Sequence, residues 1–266
     1  MCPWVAIWLG VAVAMMLLPG CASVPADPNA PREARQAADN ADPERRAKVR
    51  LELAGLYYAR GQIDTALSEV NQAISAKPDM GEAYSLRGLI YAGLGEARLA
   101  EQNFQRALQI NPRDADAMHN FGWVQCQAQR FVEANALFEQ ALAQPQYRDP
   151  VRTLLSQGVC HARAGNWVDA ERALSRSYEL NPASPVAAFN LSEVLLKRGE
   201  VTRARFYVAR INAQPDLSNA QSLWLAARIE QRGGNPGAAQ DFGRQLRDRF
   251  PQSPEALQFE RGRFDD

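Results

Sequence analysis

The sequence predicts an all-α protein of six helix pairs in one continuous stack, and three observations carry that expectation. Pro78 and Pro112 stand 34 residues apart, and the residues upstream of each align. Alanine recurs in a single phase at Ala66, Ala100, Ala134, Ala170, Ala204 and Ala239. Glycine recurs in a second phase at Gly61, Gly95, Gly165, Gly199 and Gly234, where it ends a first helix. Self-similarity at this period marks an array whose units bury their apolar stripes against one another.

Composition agrees with such an array. Of the 266 residues, 46% are apolar, enough for a core without metal or disulfide staples. Thirty Lys and Arg balance thirty Asp and Glu, and no basic run stands out. That argues against nucleic acid, which is bound through phosphate neutralisation. A net charge of zero also predicts partner binding that is only mildly salt-sensitive.

From the N-terminus, residues 1–20 contain no Asp, Glu, Lys or Arg, and Trp4 to Leu18 is almost wholly apolar. That run is too short for a comfortable bilayer span and fits the apolar core of a secretion signal. It ends in Leu18-Pro19-Gly20-Cys21, which resembles the lipobox of bacterial lipoproteins. The resemblance implies cleavage before Cys21 and acylation of its thiol. An ordinary signal peptide, or an uncleaved anchor, with a chance cysteine is the competing reading. Ala22 and Ser23 follow, without the Asp of the inner-membrane retention pattern. This implies an outer-membrane lipoprotein of a Gram-negative bacterium, facing the periplasm and touching the membrane through its lipid alone. Residues 21–46, broken at Pro25, Pro28, Pro31 and Pro43, read as a tether. As a coil it would reach about 25–30 Å.

The six copies are expected at 47–80, 81–114, 115–150, 151–184, 185–219 and 220–252. An insertion near Gln144 to Pro150 lengthens copy three, and a single extra residue precedes copy six. Small residues at positions 8, 20 and 27, aromatics at 11 and 24, Gly near 15 and Pro at 32 resemble the tetratricopeptide repeat. Tyr57, Tyr91, Phe104, Phe138, Pro78, Pro112, Pro182 and Pro251 carry that pattern. The resemblance implies a right-handed superhelix of antiparallel helix pairs, with residues 253–266 as a short C-terminal capping helix.

It also implies a concave face lined by positions 2, 5, 9, 12 and 13 of each first helix. Those positions place Leu51, Tyr58, Leu89, Trp123, Leu155, Val159, Phe189, Leu196 and Trp224 in or near a protein-binding groove. Each is either an interface anchor or a side chain packed beneath a neighbouring helix. Lys48 and Lys197 are the only groove lysines and no groove Asn joins them, which argues against a clamp for a terminal carboxylate.

Catalytic chemistry is hard to find. His119 and His161 are the only histidines, and neither sits in an H-E-x-x-H pattern. No nucleophile elbow, phosphate-binding glycine loop or paired-carboxylate motif stands out. We expect no enzyme activity, cofactor, metal or small-molecule substrate. His119 reads as a solvated helix-surface side chain, with ligand contact as its alternative. Cys126 and Cys160 fall on adjacent first helices of an exported domain, where two remaining thiols tend to pair. Two separately buried small side chains would satisfy the pattern too, and a zinc site with His119 and His161 would satisfy a donor count.

A narrower resemblance rests on His119-Asn120-Phe121-Gly122-Trp123-Val124-Gln125-Cys126, on Phe138-Glu139-Gln140-Ala141-Leu142, on the Pro145-Gln146-Tyr147 insertion and on Gln157-Gly158-Val159-Cys160. Together with the lipobox and tether, these resemble the pilotin lipoproteins of type IV pilus biogenesis and stability. The resemblance implies a non-enzymatic adaptor whose partner is the secretin, the outer-membrane ring through which the pilus emerges. A scaffold recruiting another envelope complex, such as cell-wall enzymes, is the alternative.

Overall fold

The computed structural model describes residues 42–264. The apolar leader at 1–20, Cys21 and all of the tether before residue 42 lie outside the described residues. Among those described, every regular element is helical: thirteen α-helices and no strand. Pair one is α1 (Pro43–Ala59) and α2 (Ile63–Ala76), and pair two is α3 (Gly81–Gly93) and α4 (Ala97–Ile110). Pairs three and four are α5 (Ala115–Gln127) with α6 (Phe131–Leu142) and α7 (Pro150–Arg163) with α8 (Trp167–Leu180). Pair five is α9 (Pro185–Lys197) and α10 (Val201–Asn212), and pair six is α11 (Ala220–Arg232) and α12 (Pro236–Arg249). The single helix α13 (Pro254–Glu260) closes the stack. Each helix packs on the next, and the first helices of successive pairs also touch, which makes the array a superhelix.

The recurrent residues explain the packing. The phased alanines at 66, 100, 134, 170, 204 and 239 are all fully buried. At position 8, Gly88, Gly122 and Gly158 leave space that Phe104, Phe138 and Leu174 fill from the second helix of the same pair. The turn glycines at 61, 95, 165, 199 and 234 all have positive φ. In copy three Gln129 holds that place with φ 61°, a conformation costly for a residue with a Cβ.

One part of the sequence folds differently from expectation. α1 begins at Pro43, so the last residues assigned to the tether are helical. The insertion of copy three packs onto its own pair. Tyr147 turns back onto Ala115, Met118 and Ala141, and its hydroxyl lies 2.6 Å from Thr153 Oγ1.

Candidate protein-binding groove

The first helices α3, α5, α7 and α9 touch in succession, and their positions 5 and 9 supply most of the candidate groove side chains. Leu89, Trp123, Leu155, Val159 and Phe189 are half-buried, neither sealed in the core nor free in solvent. Leu89 leans on the stacked pair Phe104 and Phe121, and Trp123 on Cys126, Phe138 and Cys160. Leu155 and Phe189 rest on the Leu191–Leu195 cluster. Leu51 and Tyr58 are half-buried at the N-terminal end, where Tyr58 Oη donates to Leu89 O at 3.3 Å. Between copies two and three a cleft of about 260 Å³ opens, lined by Glu82, Ser85, Leu89, Asp116 and Asn120 among others.

Two residues expected in the groove are core. Leu196 is 3% exposed and joins Leu225 and Ile229, because position 12 faces the following first helix. Trp224 is 6% exposed, with Phe259 and Phe264 of the C-terminal cap against its ring at centroid distances of 6.3 and 5.3 Å. Position 5 opens to solvent only where nothing folds over it, and after the last pair the cap does so.

His119 also corrects the expectation of a solvated side chain. It is 6% exposed, and its Nδ1 lies 2.9 Å from Thr153 Oγ1 on α7. Its ring tilts toward Phe138 at 5.9 Å. Burial pushes its pKa down to about 4; the Arg152 charge adds to the fall and the Asp149 charge opposes it. His161 is half-buried and lowered as well, mainly by burial.

Cys126 on α5 and Cys160 on α7 form a disulfide, with Cα atoms 5.8 Å apart. The bond joins copies three and four directly beneath Trp123. With both thiols bonded to each other, a zinc site using them has lost its thiolate ligands.

A helix-pair array with a half-buried apolar strip along its concave face defines a protein-binding repeat scaffold. Tetratricopeptide-repeat profiles match residues 79–146, 119–185 and 161–229, together more than half of the chain. The chain belongs to the tetratricopeptide-repeat family. It is 26% identical over 219 residues to the type IV pilus assembly protein PilF of Pseudomonas aeruginosa, a match covering 82% of this chain and 86% of that one. The crystal structure of PilW, described as a widely conserved type IV pilus biogenesis factor, superposes with TM-score 0.74 and 29% identity. That likeness covers 80% of this chain and 97% of PilW. The structure of Pseudomonas aeruginosa PilF gives TM-score 0.70 over 83% of this chain and 99% of the other, at 23% identity, and so speaks to the fold. The chain is homologous to the tetratricopeptide-repeat proteins of type IV pilus biogenesis.

Proposed function

We propose that this chain is a non-enzymatic, lipid-anchored adaptor of the outer membrane. It binds the type IV pilus secretin through its concave face and supports the secretin's localisation or assembly. The observation that carries this reading is the extent of the likeness: 86% of PilF and 97% of PilW are matched. Within the half-buried strip from Leu89 to Phe189, Trp123 is of the residue type enriched among interface anchors.

A deletion strain tests it. Loss of surface pili and of secretin multimers is expected, with rescue by the wild-type gene. Rescue should fail, and metabolic palmitate labelling should vanish, with Cys21→Ser. Normal pili and multimers in the deletion strain would overturn the proposal.

A further inference from the structure

The charges in the terminal turns of the six first helices divide by copy, with Arg60 falling just beyond the end of α1. α1, α3 and α5 carry an acid in the first turn (Glu44, Glu82, Asp116) and no base in the last. α7, α9 and α11 carry no acid in the first turn and end in Arg163, Lys197 and Arg232. The helix dipole favours a cation at a C-terminus, but it acts on all six helices alike and does not explain the division.

Pairing does not explain it either. Arg152 meets Asp116, Arg198 and Arg203 meet Glu171, and Arg205 meets Glu230. Arg163, Lys197 and Arg232 are exposed and form no ion pair with any described residue. Glu193, the one acid of α9, approaches Arg228 at 4.0 Å and also feels the charge of Lys197 one turn on, without an ion pair between them.

The three cations are in register, one per copy, on first helices that touch in succession. Standing at the same position of successive first helices, they make a ladder with rungs about 8–10 Å apart as set by helix packing. Beside it lie the half-buried Leu155, Val159 and Phe189.

We infer that this ladder binds an acidic, extended segment of a partner polypeptide whose carboxylates recur at every third residue. A polyproline II segment has three residues per turn and rises about 3.1 Å per residue, so its residues i, i+3 and i+6 share a face roughly 9 Å apart. That spacing matches the ladder. A terminal-carboxylate clamp is a different device, since it gathers its donors around one group, whereas these cations stand a full copy apart. Three single charges in file suit a narrow chain better than the broad charge of an anionic bilayer. The zero net charge conceals this segregation, so contacts here weaken as salt rises, contrary to what the total predicts.

The inference rests on the groove taking a polypeptide, but its test contains no secretin and so fails separately. The mature domain is titrated with a proline-framed peptide carrying Glu at every third position. Controls are its Lys counterpart, a peptide with the same Glu content clustered at one end, and phosphatidylglycerol–phosphatidylethanolamine vesicles. Binding of the spaced Glu peptide alone is expected. Affinity should fall roughly tenfold in the combined variant Arg163→Gln, Lys197→Gln, Arg232→Gln, as three exposed ion pairs allow. An unchanged melting curve of that variant shows that the fold is intact. If folding is impaired, the single variants, each expected to lose about twofold, give the same reading. Equal affinity of wild type and folded variant, no preference for the spaced peptide, or retention on vesicles alone would each overturn the inference.

Discussion

Gly158 lies directly beneath Leu174: a Cβ built on the glycine would fall 2.5 Å from Leu174 Cγ and 3.1 Å from Leu174 N. The second atom is backbone and cannot swing away, so α7 and α8 approach only because position 8 lacks a side chain. Gly158→Ala should destabilise the domain by about 1–3 kcal/mol. Gly55, inside α1, is the control, since nothing lies within 4 Å of its hypothetical Cβ. Gly55→Ala should stabilise by about 0.5–1 kcal/mol through helix propensity. Denaturant unfolding of the two variants checks the opposite signs.

That contrast shows what the sequence could reveal. Period and phase locate Ala66 through Ala239 in the core because every copy solves the same packing problem. They do not report what happens where copies differ. Trp224 has the groove phase, yet the cap supplies Phe259 and Phe264, 35 and 40 residues downstream, to cover it. His119 has the same phase, but Thr153 and the returning Tyr147 enclose its side of the helix. An insertion has no periodic partner from which its path could be inferred. The helix-final cations Arg163, Lys197 and Arg232 are legible in the sequence copy by copy, but the summed charge of zero hides their order.

The disulfide should matter most at its own junction. Cys126 and Cys160 are 34 residues apart in sequence, and closing a loop of that size stabilises by roughly 3–4 kcal/mol in the chain-entropy model. Neighbour coupling dominates in a stacked array, so reduction should open the interface of α5 and α7 ahead of the ends. Hydrogen exchange before and after reductant would locate the loss. Two titrating thiols in unreduced, denatured protein would show that no bond forms.

Acid should weaken the same junction through His119. Its folded pKa of about 4 lies below the ordinary 6.5, so the unfolded chain binds the proton more readily. The resulting stability is fully present above pH 6.5 and is lost as pH falls from there through about 4. The lowered value corresponds to about 3 kcal/mol at most. In unfolding measurements across that window, His119→Gln should show a shallower pH dependence than wild type. The residual slope would come from other titrating groups, His161 among them. Identical slopes would mean that the imidazole is not held neutral.

Trp123 and Trp224 should separate binding from folding. Trp224 is enclosed by Phe259 and Phe264, so Trp224→Ala should lower stability by about 3–5 kcal/mol, the range for removing a large aromatic from a core. Trp123 is half-buried on the concave face of a central copy and rests on the Cys126–Cys160 bridge. A rigid aromatic placed on a fixed support carries little ordering cost when a partner arrives, which is the profile of an interface anchor. On the function proposed above, Trp123→Ala should therefore cost about 2 kcal/mol of secretin affinity. Its melting midpoint should fall less than that of Trp224→Ala, because only part of the indole leaves a packed environment. Thermal melting and secretin pull-down on both variants give the comparison. Unchanged pull-down with a depressed midpoint in Trp123→Ala would assign that residue to the core and move the binding surface elsewhere on the array.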